Sequence, residues 1–252
     1  MLVVVVDSAT PAVTAAVARV GEGGAASPRA GGAASPRAGG AASPRAGGAA
    51  SPGVTVLAER VTVDARAHGE LLAPAVAAVL AEAGVKPASL DAVVAGVGPG
   101  PFTGLRVGLV TAVALTQALS IPAYGVCSLD AVPPNGDRVI LVATDARRRE
   151  IYWAVYADGV RIHGPAVGPP DEAAAEARAL GATRAVGDGA LRYADALGLP
   201  VRDEHRYPDA GALASLAADR IRSRAPGEPL TPLYLRRPDA TPRAATAKTT
   251  LQ

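Results

Sequence analysis

The chain has 252 residues, enough for one large domain or two smaller ones, and 49% of them are hydrophobic while only 3% are aromatic. Its formal net charge is +2, and the three arginines of one repeat, Arg29, Arg37 and Arg45, account for all of that excess. The rest of the chain has no basic surplus and few rings on which bases could stack, which argues against a nucleic-acid-binding platform.

The single cysteine, Cys127, excludes an internal disulfide and favours a reducing compartment. The apolar run 2–6 ends at Asp7 and has no basic residue before it, so we expect no signal peptide. No run approaches about 18 uninterrupted apolar residues, so we expect no membrane span. Together these features predict a cytoplasmic protein.

The first elements form a predicted β-hairpin. Run 2–6 is short and β-branched, which is typical of a buried strand. The chain turns at 7–11 and returns as a second strand over 12–20, so an acid and two hydroxyls, Asp7, Ser8 and Thr10, lie at the hairpin tip.

An eight-residue repeat follows the hairpin. Ala-Ser-Pro-Arg-Ala-Gly-Gly-Ala begins at Ala26 and recurs at 34–41 and 42–49. It has no apolar side chain larger than alanine, so burial cannot offset the entropy lost on ordering it. We expect residues 21–53 to be a disordered insertion at a hairpin tip. The alternative is an arginine-bearing arm that touches RNA.

The pattern predicts a strand over 54–63, a helix from His68 to about Ala83, and a strand over 92–97. Pro74 should lie near the first turn of that helix, because proline is tolerated only there. Gly84 suits its C-terminal cap.

The most distinctive stretch is Gly-Val-Gly-Pro-Gly-Pro-Phe-Thr-Gly-Leu-Arg, which begins at Gly96 and leads into an apolar helix predicted over 105–119. Its glycines and prolines favour a stiff turn with free N–H groups at the helix start. Such a turn suits an anion or a close backbone partner. A purely structural turn is the alternative.

The helix after this loop is apolar on both sides. Leu105, Leu109 and Ala112 share the face that should cover a sheet. The opposite face is small and apolar where a surface helix should be polar, which indicates a protein–protein surface. The alternative is that another segment of the same chain covers it. The predicted interface comprises Val107, Val110, Thr111, Ala114 and Ala118, with Glu70 and Leu71 of the preceding helix.

The second half repeats the opening pattern. A buried strand over 139–144 ends at Asp145 and a second strand returns over 151–156. Asp145 precedes Ile151 by six residues, as Asp7 precedes Val13. This predicts two related α/β domains, 1–136 and 137–237, followed by a flexible tail at 238–252. The alternative is chance similarity of two hairpins.

Four further elements are predicted in the second half. They are a loop and edge strand over 159–170, a helix over 171–180, a strand and turn over 185–190, and a helix over 209–222.

The string Gly-Pro-Gly-Pro-Phe-Thr-Gly-Leu-Arg at 98–106 closely resembles the GPGSFTGLR signature of the TsaB family, bacterial proteins of tRNA threonylcarbamoyladenosine (t6A) synthesis. Pro101 stands where the signature has serine. Weaker similarity continues at 145–152 and 233–236. The matching loop residues are Gly98, Gly100, Phe102, Thr103, Gly104 and Arg106.

The resemblance implies an α/β fold of two related actin-like (RNase H-like) domains of the actin/sugar-kinase/Hsp70 superfamily, each opened by a β-hairpin. In that superfamily the two hairpin tips grip nucleotide phosphates and metal. Asp7, Ser8, Thr10 and Asp145 are therefore weak candidates for nucleotide binding.

The catalytic sister family, TsaD, holds a metal with an HxxxH pair on its first helix. Here His68 is followed four residues later by Leu72, so the pair is broken. We expect no catalytic and no metal-ligating residue. The arginines 147–149 could bind phosphate or form a solvated turn.

The resemblance implies a non-catalytic subunit that binds and supports a TsaD-type transferase together with a TsaE-type ATPase. Alone it should form a homodimer, and it should contact tRNA only through the complex. No cofactor is required, and ATP or ADP is a candidate ligand at a complex interface. The alternative is an independent ATP-dependent small-molecule kinase or metallopeptidase of the same fold.

Overall fold

The computed structural model describes residues 1–21, 53–132 and 139–236, which form two five-stranded sheets with helices packed on them. The first sheet contains β1 (Leu2–Asp7), β2 (Ala12–Val20), β3 (Val54–Val63), β4 (Ala92–Gly96) and β5 (Ala123–Val126). The second contains β6 (Val139–Asp145), β7 (Ile151–Ala157), β8 (Val160–Gly168), β9 (Arg184–Val186) and β10 (Val201–Arg202). The helices are α1 (His68–Glu82), α2 (Phe102–Leu119), α3 (Pro170–Ala179), α4 (Asp188–Arg192), α5 (Ala194–Leu197) and α6 (Ala210–Arg222), with 3₁₀ turns at Pro87–Ser89 and Ser128–Ala131.

The two sheets have the same topology. The first runs β3-β2-β1-β4-β5, and the second, taken in the same sense, runs β8-β7-β6-β9-β10. In each sheet three antiparallel strands come first and two parallel strands follow. The predicted fold class, two related α/β domains that each open with a β-hairpin, is confirmed.

The first sheet is covered on both faces. Side chains alternate along β1, so Val4 and Val6 face α1 and α2, while Val3 and Val5 face the opposite layer. That layer is α6, whose Leu213 and other apolar residues are fully buried. The predicted boundary at 136/137 assigned this helix to the second domain. It packs on the first sheet instead, because a strand that is apolar on both sides needs a cover on both sides.

The second sheet is covered by α3 and α5 on one face. On the other it packs against the segment that leaves the first domain. Leu129 and Val132 lie in one cluster with Ile140, Val142 and Val186 of the second sheet. This shared core joins the segment that leaves the first domain to the second sheet.

Several local boundaries differ from the predicted ones. Helix α2 begins at Phe102 rather than 105, so part of the glycine-rich stretch forms its first turn. Residues 188–192 form α4, where a strand and turn were predicted. Pro74 lies in the second turn of α1, further in than predicted, and the helix continues through it.

Two predictions fall outside the described residues: the repeat, apart from its ends, and the tail at 238–252. At the base of the insertion the Gly21 N–H donates to the Gly53 carbonyl at 2.8 Å, so the two ends of the insertion lie next to each other.

By length and composition alone, α2 is the one helix in the described part of the chain that could cross a membrane. Its buried Leu105, Leu109 and Ala112 pack on the first sheet, as in the core helix of a globular domain.

Candidate functional site: the interdomain cleft and the α2 surface

The first hairpin tip turns its acid inward. Asp7 is 1% exposed, accepts hydrogen bonds from the Ser128 hydroxyl at 2.5 Å and the Ala9 N–H at 2.9 Å, and lies against Gly96. A Cβ at Gly96 would stand 1.7 Å from Asp7 Oδ2, so only glycine fits there. Burial raises the pKa of the Asp7 carboxyl, although the two hydrogen bonds oppose the shift. This carboxylate does not line the cleft.

Ser8 joins the hairpin tip to α2. Its hydroxyl donates to the Gly104 carbonyl at 2.7 Å and accepts from the Gly108 N–H at 2.9 Å. In an α-helix the N–H of residue 108 ordinarily donates directly to the carbonyl of residue 104. The Ser8 hydroxyl therefore bonds to both members of one helical donor–acceptor pair. A Cβ at Gly108 would lie 2.5 Å from Ser8 Oγ and one at Gly104 would lie 2.9 Å from the Ser8 carbonyl oxygen. The two glycines therefore allow the tip to reach the helix backbone.

His68 also hydrogen-bonds to the first hairpin tip. Its ring is 8% exposed, and its Nε2 lies 2.8 Å from the Thr10 carbonyl oxygen. A carbonyl only accepts, so Nε2 carries the proton. Leu72, one turn further, is fully buried in the core on the α2 side of the first sheet. The position of the broken HxxxH pair is thus used for packing.

The second hairpin tip turns its acid outward. Asp145 Oδ2 accepts from Arg192 Nη1 at 3.0 Å, and its Oδ1 accepts from the Tyr193 hydroxyl at 3.1 Å and the Arg147 N–H at 3.0 Å. Asp188 lies behind it at the start of α4. Burial, reinforced by the Asp145 charge, raises the pKa of the Asp188 carboxyl to about 7. Its Oδ1 is buried and has no hydrogen-bond partner in the described structure.

Three consecutive arginines form the turn after Asp145. Arg147, Arg148 and Arg149 have φ values of 61°, 52° and 62°, a left-handed conformation that costs roughly 1–2 kcal/mol per non-glycine residue. The C-terminal segment braces this turn. Arg236 pairs with Glu150 and donates through Nη1 to the Ala146 carbonyl at 2.9 Å.

The two tips and the start of α2 enclose a cleft of about 1020 Å³ between the domains. Of the predicted nucleotide-binding residues, it brings together Ser8, Thr10 and Asp145 but not Asp7. Four of the predicted loop residues line the cleft and two do not. The lining residues are Gly100, Phe102, Thr103 and Gly104, while Gly98 and Arg106 lie outside it.

The predicted partner face of α2 is open. Val110 is 67% exposed, and Ala114 and Ala118 are also exposed, while Val107 and Thr111 are half-buried. Glu70 is exposed and Leu71 half-buried on the neighbouring α1. At the start of α2, Phe102, Arg106 and Val110 line an apolar groove of about 470 Å³. Arg106 stacks on Phe102, with 3.7 Å from guanidinium carbon to ring centroid, and its Nε donates to the Tyr234 hydroxyl at 2.9 Å.

Sequence reasoning missed the roles of Gly108, Asp188 and Arg236. The Gly104–Gly108 spacing was available as a signal, because glycines at i and i+4 clear one side of a helix for another backbone. Asp188 and Arg236 carried no local signal, since the partners that define them are distant in the sequence.

The family model of TsaD, tRNA N6-adenosine threonylcarbamoyltransferase, matches residues 55–217, well over half of the chain. The tRNA threonylcarbamoyladenosine biosynthesis protein TsaB of Bacillus subtilis is 36% identical over 105 residues, covering 40% of this chain and 46% of that protein. The chain belongs to the TsaB family. TsaB of Escherichia coli is likewise 36% identical, over 96 residues that cover 36% of this chain and 42% of that one.

Similarity over the whole length comes from two further comparisons of this TsaB-family chain. A protein of Mycobacterium tuberculosis described as uncharacterized is 46% identical over 243 residues, 96% of this chain and 95% of that one. The solved structure of YeaZ from Pseudomonas aeruginosa aligns with a TM-score of 0.66 at 25% identity, covering 93% of this chain and 99% of that one. The TsaB-family fold therefore extends across both domains.

Proposed function

We propose that this chain is a non-catalytic subunit of the machinery that synthesises t6A in tRNA, where it binds and supports a TsaD-type transferase. The pathway follows from the TsaB relatives, which are named as tRNA threonylcarbamoyladenosine biosynthesis proteins. A TsaE-type ATPase completes the proposed assembly, which works in the cytoplasm. The chain contacts tRNA only through this complex. In the absence of its partners, the chain forms a homodimer. The chain requires no cofactor of its own, and an interface of the complex is the proposed site for ATP or ADP.

The open face of α2 is the observation that carries this proposal. Val110 and Ala114 are solvent-exposed in the middle of an 18-residue helix that has few polar side chains. Exposed apolar patches mark protein–protein surfaces, and small residues let a partner helix approach to about 8–10 Å. Beside this face, Phe102, Arg106 and Tyr234 supply the aromatic and arginine side chains that commonly dominate binding energy.

The contacts made by the acidic and histidine side chains at the two hairpin tips support a non-catalytic role. Asp7 is buried against Ser128, and His68 Nε2 is bonded to the Thr10 carbonyl, so neither is free to hold a metal in this conformation. Asp145 is engaged by Arg192 and Tyr193. A kinase or metallopeptidase would need at least one of these groups directed at its substrate.

The substitution Ala114→Arg tests the interface. It places a long charged side chain at the centre of the open face and should weaken both self-association and TsaD-type binding at least 100-fold. Ala175→Arg is the matched control, because Ala175 is an exposed helical alanine on α3 of the second domain. Binding is measured by isothermal titration calorimetry with the partner and self-association by analytical ultracentrifugation.

Both variants should keep the wild-type circular dichroism. If the Ala114→Arg variant unfolded while the control stayed folded, this face would belong to the internal core and the proposed interface would be refuted. On the same preparations, the wild-type chain without partners should neither hydrolyse ATP nor modify tRNA. Turnover that Asp145→Ala abolishes would refute the non-catalytic assignment and favour the kinase.

A further inference from the structure

The interdomain cleft and the apolar groove at the start of α2 form one continuous surface. Phe102, Thr103 and Val107 line both of them, the cleft with a volume of about 1020 Å³ and the groove with a volume of about 470 Å³. A protein docked on the open face of α2 therefore lies over the mouth of the cleft. What such a partner can place inside depends on the charges that line the cleft.

The cleft is cationic. Five arginines from both domains and the C-terminal segment line it: Arg66, Arg147, Arg148, Arg192 and Arg236. Among the described residues that line it, Asp145 is the only acid. Low-dielectric walls that carry charges of one sign attract charges of the opposite sign. The cleft therefore favours a negatively charged occupant.

Two of these arginines have no acid of their own. Asp145 already pairs with Arg192. Arg66 and Arg147 are exposed and form no ion pair within the described structure. Helix α2 begins in the same space without a side-chain cap at Pro101, so its first N–H groups lack an intrahelical acceptor. Carboxylates suit both kinds of donor, because guanidinium groups bind them bidentately and helix N-termini favour negative charge.

The parts of the chain outside the described residues do not carry the missing negative charge. Residues 22–52 have three arginines against one glutamate, and residues 237–252 have two arginines and one lysine against one aspartate. Residues 133–138 have one side chain of each sign. Each segment would bring positive charge to the cleft or no net charge. The acids that pair with Arg66 and Arg147 therefore have to come from another molecule.

A second copy of the chain is also a poor source of an acidic segment. The sequence has two pairs of adjacent acids, at 171–172 and 203–204. The first pair lies in the opening turn of α3, where it interacts favourably with the helix dipole. In the second pair, Asp203 is bonded to Arg206 and Glu204 to Arg202. Self-association through α2 therefore leaves the cleft arginines without carboxylates.

We propose that the cleft selects the transferase partner over a second copy of the chain, by receiving an acidic segment of that partner whose carboxylates pair with Arg66 and Arg147. The inference rests on the proposed function, because the partner first has to dock on α2. The α2 face serves both kinds of association, whereas the cleft contributes to only one of them. Specificity is a difference between two affinities, and complementary charges across an interface are a common source of it.

The double variant Arg66→Gln/Arg147→Gln separates the two kinds of association. At low ionic strength it should weaken binding of the TsaD-type partner at least tenfold in isothermal titration calorimetry. Its self-association in analytical ultracentrifugation should stay within twofold of wild type. The difference in partner affinity should shrink at high salt, because salt screens exposed charges.

The matched control is Arg19→Gln/Arg224→Gln, which removes the same net charge. Both arginines are exposed, one at the opposite end of β2 from the hairpin tip and one just after α6. The control should bind the partner as wild type does. Circular dichroism of each variant confirms that it is folded.

Carbodiimide coupling identifies the carboxylates on the partner. The chain has two lysines, Lys86 and Lys248, so the substitution Arg147→Lys adds an amine to the cleft and keeps the positive charge. In the complex this amine should form an amide with an aspartate or glutamate of the partner, and the carbodiimide takes up the water that is released. Mass spectrometry of the digested complex locates the bond. Arg19→Lys, outside the cleft, should give no such product.

Three results would overturn the proposal. Equal weakening of partner binding and self-association by the double variant would place Arg66 and Arg147 in the shared interface. Equal weakening by the control would reduce the effect to net charge. A complex of wild-type affinity in which Arg147→Lys couples to no partner carboxylate would leave the cleft to a small anion. The proposed function fails on a different result, namely partner binding that survives Ala114→Arg.

Discussion

Asp188 should make the second domain less stable as the pH rises. Its carboxyl has one buried oxygen without a partner and the Asp145 charge nearby, and its pKa rises from 3.8 to about 7. The folded state therefore binds this proton more tightly than the unfolded state. The resulting stability is fully present below about pH 4 and is lost as the pH rises through about 7.

The magnitude follows from the shift. One pKa unit corresponds to about 1.4 kcal/mol, so a shift of about three units sets an upper limit of about 4 kcal/mol. Asp188→Asn removes the charge at nearly constant shape and places either an amide N–H₂ or an uncharged oxygen where Oδ1 now lacks a donor. We expect the variant to be more stable than wild type at pH 8, by about 2–4 kcal/mol, and to lose most of this difference at pH 4.

The chain's single tryptophan supplies the assay. Trp153 lies on β7, 4% exposed, in the sheet that carries Asp145. Its fluorescence during urea unfolding at pH 4, 5, 6, 7 and 8 reports the free energy of unfolding of wild type and variant. Asp158→Asn is the control, because Asp158 is exposed at a positive-φ turn position that asparagine also tolerates. Parallel pH curves for wild type and Asp188→Asn would refute the reasoning.

Two further predictions concern the first domain. Deleting residues 24–52 should change the free energy of unfolding by less than about 1 kcal/mol in a denaturant titration. The Gly21–Gly53 hydrogen bond already closes the hairpin, and loop length costs only about 0.6 kcal/mol per doubling. A loss of several degrees in melting temperature would show instead that the repeat packs on the folded domain. Ser8→Ala should cost about 1–3 kcal/mol in the same titration, because it removes both bonds to α2. Ser8→Thr serves as the comparison that keeps the hydroxyl, and an unchanged Ser8→Ala melting curve would contradict the role of this bridge.

Most of the strands and the two opening hairpins were predictable because their signals are local. Uninterrupted valines specify β1 as a strand buried on both faces, and the equal spacing of Asp7 and Asp145 from the returning strands reveals the duplication. The glycines and prolines around 96–104 likewise indicate a tight turn before α2. Each of these inferences depends on neighbours within about ten residues.

The electrostatic character of the site was not predictable in the same way. Asp7 looked like a ligand-facing acid, and only its contact with Ser128, 121 residues away, turns it inward. Arg236 joins the cleft through Glu150, across a separation of 86 residues in the numbering. Asp188 acquires its raised pKa from burial behind Asp145. Such contacts depend on tertiary packing, which no periodicity in the chain encodes.

The position of α6 has a consequence for how the protein is made. Translation proceeds from the N-terminus, and at roughly 5–20 residues per second the ribosome needs about 10–40 s to go from β1 to α6. During that interval the face of the first sheet formed by Val3, Val5, Ala16 and Val94 lacks its cover. The first domain therefore reaches its native core only after nearly the whole chain has been synthesised, and a nascent or truncated chain without α6 exposes an apolar sheet that chaperones can bind.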